Sequence, residues 1–251
     1  MRLLRHEFRS QLRLYGRSRE LAFFTFALPL IIFFLLGSVY GNDRIKTQGN
    51  IRAADYLLAG MLGYGAIATG FAGLSIMLVI RRESGILKRV RATPLPAWAY
   101  VVALLSTTLV AFGLEAICMI AIGAIFFDTH IHNFFSLALA LLLGAAAFTA
   151  LGLALTTYIK SAEGSSAVVN AIYLPVSFLS GAFFSPHSFP AALKAIANAL
   201  PLVYMIRLVR DIALHNQQIW DRPGDVAVIA AWGLAGAIIA ARRFRWDPQE
   251  G

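Results

Sequence analysis

Six long apolar runs, each bounded by clustered charge, constrain this chain more than any other feature. They are Leu21–Tyr40, Tyr56–Ile80, Ala97–Phe127, Phe134–Ile159, Ser165–Phe184 and Val226–Ala241. About 20 consecutive apolar residues make a helix long enough to cross a bilayer. In the hydrocarbon region such a run must satisfy its own backbone N–H and C=O groups, which an α-helix does within the segment. Only 14% of the 251 residues are charged and 59% are hydrophobic, whereas a soluble domain carries about 25% charge. The sequence therefore predicts an all-α, polytopic integral membrane protein with six transmembrane helices. The third run, at about 1.5 Å per residue, exceeds a ~30 Å core, so it is expected to tilt or project. The first run follows a basic tail and ends in Gly-Ser-Val-Tyr-Gly-Asn, which reads as a retained span rather than a cleaved signal.

The formal charge of +9 would suit nucleic acid, but the basic residues fall between the apolar runs, where orientation rules account for them. With the N-terminus inside, the N-terminal tail, Arg81–Pro96, Lys160–Gly164 and the C-terminal tail carry about 15 of the 22 Lys and Arg residues. An even number of spans places both termini on that side, so the expected topology is N-terminus and C-terminus cytoplasmic. The single cysteine, Cys118, lies inside a run and allows no intrachain disulfide.

The chain divides into a tail over 1–20 and a single six-span domain over 21–251. In the tail, Leu4, Phe8, Leu12 and Tyr15 recur at helical spacing beside a stripe of Arg5, Arg9, Arg13 and Arg17. This is the pattern of an amphipathic helix lying at the membrane interface. It serves either as a topology anchor or as a contact for a cytoplasmic subunit.

Small residues crowd the second run (Gly60, Gly63, Gly65, Gly70, Gly73) and the fourth (Gly144 to Gly152), marking faces where helices approach closely. Pro29 and Pro175 are placed to kink the first and fifth runs. Between the last two runs, Ser185–Asp225 is too apolar for an exposed loop. Pro186, Pro190 and Pro201 divide it into pieces too short to cross. Two short helices dipping into the outer leaflet, a re-entrant pair, fit that pattern.

Enzymatic signatures are missing. No Gly-x-x-x-x-Gly-Lys-Ser/Thr loop, His-Glu-x-x-His helix or Gly-x-Ser-x-Gly turn occurs, so the chain lacks a Walker-type nucleotide site of its own. His130 and His132, near Asp128, have no further ligands beside them, so no metal site is assigned. Glu115 is the one carboxylate well inside a run. An intramembrane acid faces a cavity, a partner helix or water, which leaves a pathway role and a packing role both open.

Arg81-Arg-Glu-Ser-Gly-Ile-Leu-Lys-Arg-Val-Arg-Ala-Thr-Pro94 forms a short basic, amphipathic insert between the second and third runs. Farther on come Leu179-Ser-Gly-Ala-Phe-Phe-Ser-Pro186, Phe189-Pro190, Leu200-Pro-Leu-Val-Tyr204 and Leu208-Val-Arg210. In order and spacing these fragments resemble the transmembrane subunits of ABC-2 type (type V) ABC transporters, especially daunorubicin-exporter-like drug efflux permeases. The resemblance covers nearly the whole chain. Ser185 before Pro186 and Val203 in place of a frequent threonine depart from the pattern and bear on substrate detail.

The resemblance implies a bacterial inner-membrane permease that expels a hydrophobic or amphipathic compound, such as a drug or antibiotic. The ATP and Mg would sit on a separate ATP-binding cassette subunit, present in two copies, and no cofactor would be bound by this chain. A second permease, identical or related, would complete the path, and membrane lipid would surround it. Glu83, Gly85, Leu87, Lys88, Arg89, Val90, Arg91, Thr93 and Pro94 would form the coupling segment. Leu87 and Val90 would fill the ATPase cleft, with Arg82 and the other cations at its rim and Lys160–Gly164 as a smaller contact. Ser180, Gly181, Pro186, Pro190, Pro201, Tyr204 and Arg210 would form the outer gate. The alternatives are an exporter of lipid-linked polysaccharide or glycolipid, and a secondary transporter using Glu115.

Overall fold

The computed structural model describes residues 23–45, 50–93, 95–183 and 189–243. The tail over 1–20, Pro94, Pro186 and the last residues of the C-terminal tail lie outside them. The chain enters through a π turn, Phe23–Ala27, into helix α1, Leu28–Tyr40. Pro29 sits in the first turn of α1 rather than mid-helix. Its missing N–H and crowding ring act on the preceding turn, the one that is widened, so the expected kink is a change of helix type at the entry.

Two-residue strands follow, β1 (Arg44–Ile45) and β2 (Ile51–Arg52), paired antiparallel with Arg44 opposite Arg52. This ribbon corrects the expectation of a purely helical chain. Strands so short leave no alternation to read. Arg52 then fastens the hairpin to the end of another helix: its guanidinium donates to the carbonyls of Phe127 (2.6 Å) and Asp128 (3.2 Å). Those are the unsatisfied C-terminal carbonyls that a basic side chain stabilises.

Helix α2 (Ala53–Ile67), a π turn (Ala68–Gly73) and helix α3 (Leu74–Glu83) form one 31-residue rod. It is the centre of the bundle, with 83% of its most apolar window buried. Its glycines explain why. A Cβ on Gly63 would lie 2.5 Å from the Ile206 side chain, and one on Gly152 would lie 2.7 Å from the carbonyl oxygen of Gly70. Absent side chains are what let the neighbouring helices come this close. After the short α4 (Ile86–Arg91) come α5 (Ala97–Phe127) and α6 (Phe134–Thr156), followed by α7 (Ala162–Leu179), which contains Pro175. Then α8 (Ala191–Ala197) and α9 (Pro201–His215) meet at an 84° bend. A single 3-10 turn, Ile219–Asp221, leads to α10 (Pro223–Arg243). Helix α10 lies along α6, where Gly233 faces Ala147 and Gly236 faces Ala150 and Leu151.

Four of these elements are long and apolar enough to cross a membrane: Ala53–Glu83, Trp98–Phe127, Phe134–Thr156 and Pro223–Arg243. The bent α8–α9 pair makes five if counted as one span. The sequence expectation was six. The difference falls on α1, whose regular part is 13 residues long, and on α7, which opens with the polar Ala-Glu-Gly-Ser-Ser. The last run, by contrast, is longer than its hydropathy suggested and reaches back to Pro223.

Hydrogen bonds define two ends. At the hairpin end, Asn133 Nδ2 donates to Asn216 Oδ1 (2.7 Å), Gln218 Nε2 donates to Asn133 Oδ1 (3.1 Å), and Arg210 donates to the Gly181 carbonyl (2.6 Å). At the basic end, Arg82 donates to the carbonyls of Thr156 (2.8 Å) and Ile159, Glu83 accepts from Ala162 N–H, and Arg243 donates to Tyr158 Oη (3.2 Å). Both ends of the α8–α9 segment are therefore tied at the hairpin end.

Candidate functional site

At the basic end the chain reverses in two residues. Ser84 caps α3, with its Oγ donating to the Arg81 carbonyl at 3.2 Å. Gly85 follows at φ +73°, a left-handed conformation, with open space where a Cβ would point. Glycine holds this conformation without steric cost and serves as the helix stop. Helix α4 starts at once. It closes with Thr93, whose N–H and hydroxyl both donate to the Val90 carbonyl, at 3.0 and 2.6 Å.

The six residues of α4 divide sharply by face. Leu87 is fully buried in a cluster with Leu74, Leu78, Tyr100, Leu104, Leu153 and Ala240. This side chain thus seats α4 in a cluster that also draws on α3, α5, α6 and α10. Lys88, Arg89 and Arg91 are exposed, and Ile86 and Val90 are half-buried. The sequence assigned Leu87 to a partner's cleft; the structure uses it inside the bundle, because one leucine on a one-and-a-half-turn helix cannot face both ways. The surface left for a partner is cationic, with Ile86 and Val90 at its margin.

Two further residues of the segment also face inward. Arg82, expected at the rim, is 3% exposed and caps the end of α6. Glu83, though exposed, is bonded to the first amide of α7, where a carboxylate is favoured by the helix dipole. Glu83, Gly85, Leu87 and Thr93 therefore organise the segment, and Lys88, Arg89 and Arg91 form its outer surface. Lys160–Gly164 lies immediately beside it through the bond to Ala162.

Glu115 is 1% exposed on α5 and points at the π turn of the central rod. Thr69 Oγ1 donates to Glu115 Oε2 at 2.8 Å, while Oε1 has no hydrogen-bond partner. A Cβ on Gly65 would lie 2.6 Å from that oxygen. The acid thus faces a partner helix.

At the opposite end, the expected gate residues cluster in part. Ser180 is buried, Gly181 is left-handed (φ +79°), and Arg210 bonds the Gly181 carbonyl. Pro190 precedes α8, Pro201 occupies the first turn of α9, and Tyr204 Oη donates to the Asn198 carbonyl at 2.7 Å. Ser180 and Arg210 line a cavity of about 450 Å³ together with Lys194, Asn198, Arg207, Asp211 and His215. Sequence reasoning missed those five. The available signal was Arg207, Arg210 and Asp211 recurring on an otherwise apolar helix.

The chain can now be set beside known proteins. It is 22% identical over 220 residues to the inner membrane transport permease YadH of Escherichia coli strain K12, covering 86% of this chain and 83% of that one. It is 26% identical over 222 residues to the putative transport permease ycf38 of Porphyra purpurea, covering 86% and 75%. Residues 2–214 match the family described as ABC-2 type transporter. That stretch takes in the cationic α4, the buried Glu115 and the bent α8–α9 pair: the chain belongs to the ABC-2 type transporter family.

Proposed function

We propose that this chain is the permease subunit of an ATP-driven exporter in a bacterial inner membrane. It would hydrolyse no ATP itself. A separate ATP-binding cassette subunit would dock on the cationic face of α4, and two such pairs would make the working assembly. Six crossings are the reading that best fits the connections. With α1 and its π entry, and with α7, counted as crossings, successive links alternate between the hairpin end and the basic end, and α8–α9 leaves and returns at the hairpin end. The positive charge gathered at the basic end supports placing that end in the cytoplasm.

The observation that carries this reading is the coupling of α4 to the rest of the bundle. Leu87 is buried in a cluster shared with residues of α3, α5, α6 and α10, while Arg82 and Glu83, on the adjoining turn, hold α6 and α7. A push on the exposed cations would reach all of these helices at once. ATP binding on the partner would thereby move the helices around the central rod, expelling a hydrophobic or amphipathic compound such as a drug at the hairpin end.

The test is copurification. The protein is solubilised gently from its native membrane, alone and with Lys88, Arg89 and Arg91 replaced by glutamate. An ATP-binding polypeptide recovered near one-to-one with the parent and lost from the variant is the expected result. Recovery of none, from a preparation shown to be folded, overturns the proposal.

A further inference from the structure

We propose that the cavity at the hairpin end, between the end of α7, α8 and α9, binds the anionic headgroup of an amphipathic molecule. Lys194 from α8 and Arg207 and Arg210 from α9 line it, and Ile51, Val203 and Leu214 give it apolar wall. The inference names the headgroup chemistry of the exported compound and rests on the export reading for its role, though not for the binding itself.

The charges do not cancel. Asp211, the cavity's one carboxylate, is engaged by Arg222 at 2.9 Å and His215 at 3.4 Å. Arg207 reaches out of the cavity wall to Asp225 at 3.5 Å. The Lys194 ammonium has no ion pair or hydrogen bond among the described residues, and Arg210 has no carboxylate within ion-pair distance there, Asp211 acting on it only from farther off. One cation is left unpaired and a second only partly compensated around a cavity of a headgroup's size.

Arg210 is also held ready. Its Nη2 donates to the Gly181 carbonyl at 2.6 Å, and its guanidinium carbon lies 3.6 Å from the centroid of the Tyr56 ring. Its Nε is buried with no acceptor among the described residues. A planar guanidinium fixed in this way matches phosphate or carboxylate oxygens. Lys194, on the exposed side of α8, supplies a flexible second charge. Leu193 and Ile196 flank it and are exposed at 38% and 53%, giving an acyl or alkyl tail an apolar way out beside the headgroup.

The full chain in phosphatidylcholine nanodiscs, without ATPase, is titrated with dodecyl phosphate, dodecyltrimethylammonium and inorganic phosphate. Saturable binding of dodecyl phosphate alone is expected. Lys194→Glu, which touches no partner, should weaken it by about tenfold or more, the range for a lost charge-assisted hydrogen bond. Arg210→Lys should weaken it as well, with some loss of thermal midpoint because the bond to Gly181 and the stacking on Tyr56 are altered, so Lys194→Glu, which leaves both intact, is the deciding variant. Repeating the titration with phosphatidylglycerol in the disc separates the two sources: loss of dodecyl phosphate binding identifies a bilayer lipid as occupant, and retention identifies a solute. Equal binding by parent and Lys194→Glu, equal binding of the cationic amphiphile, or inorganic phosphate matching dodecyl phosphate overturns the inference. Because no ATPase is present, failure here leaves the export reading untouched, and failed copurification leaves this site untouched.

Discussion

Arg82 and Glu83 are neighbours in sequence and hold two different helices: the guanidinium donates to the last carbonyl of α6, Thr156, and to Ile159 in the connection beyond it, and the carboxylate caps the first amide of α7. The pair closes the α6–α7 connection like a clasp, and it sits one turn before the cationic α4.

Removing the guanidinium leaves the Thr156 carbonyl at the end of α6 and the Ile159 carbonyl in the following connection without this donor. Each such group costs about 1–3 kcal/mol. Arg82→Ala is expected to lower the thermal midpoint of the purified protein clearly. Arg82→Lys should recover only part of it, since an ammonium does not reproduce the forked geometry. A midpoint unchanged in Arg82→Ala would show that the clasp contributes nothing to stability.

Leu87 and Lys88 are adjacent but should fail differently. Leu87→Ala opens a cavity in a closed apolar cluster, a change that costs about 2–5 kcal/mol, so reduced thermal stability is the expected readout. Lys88→Glu with Arg89→Glu alters only exposed charge and should leave stability within about 0.5 kcal/mol while abolishing ATPase recovery. The two variants exchanging phenotypes would place the docking face on the wrong side of α4.

The contact between Gly63 and Ile206 predicts a compensating pair. Gly63→Ala puts a methyl against the Ile206 side chain, and overpacking of this kind costs about 1–3 kcal/mol. Ile206→Ala in the same chain removes the Cγ1 that the methyl would meet and should cost less beside Gly63→Ala than it does alone. Additive melting shifts, measured over the double-mutant cycle, would mean that the helices separate rather than interlock.

Glu115→Gln keeps an acceptor for Thr69 and removes the acid. Transport by this variant is expected to stay close to the parent's and to be independent of a proton gradient, measured in vesicles with and without an imposed pH difference. Strict gradient dependence in the parent, lost in the variant, would favour a proton-coupled carrier.

What could be read from the sequence follows the range of the interactions involved. The second, third and fourth runs were legible because hydropathy is a local signal. The second was nevertheless read too short, since Arg82 and Glu83 look like loop residues until their partners at the end of α6 and the start of α7 are seen. Leu87 could be placed on an apolar face but not assigned to its own chain or to a partner, because a six-residue helix carries no further pattern. The hairpin at Arg44–Arg52 left no trace for the same reason. The cavity is built from Ile51, Lys194 and Arg210, and nothing short of tertiary structure brings those positions together. Pro29 could be read as a disturbance of the first run, but not as a widened turn ahead of it, since proline chemistry does not say which form the disturbed helix takes.

The π turn at Ala68–Gly73 makes the central rod a screw with a slipped thread. A π turn takes up one more residue than the α-helical turn it replaces, so the extra residue is absorbed locally and the faces of α2 and α3 keep their relation in space although their sequence spacing is shifted by one. Deleting one residue within the turn would close it to an ordinary α-helix and leave Leu87 and the cations of α4 on the sides they now occupy. A deletion in the regular turns of α2 or α3 has no such slack and would rotate everything beyond it by about 100°. The midpoint of the rod is thus where its length can change without its orientation, and the hydrogen bond from Thr69 to Glu115 is made there.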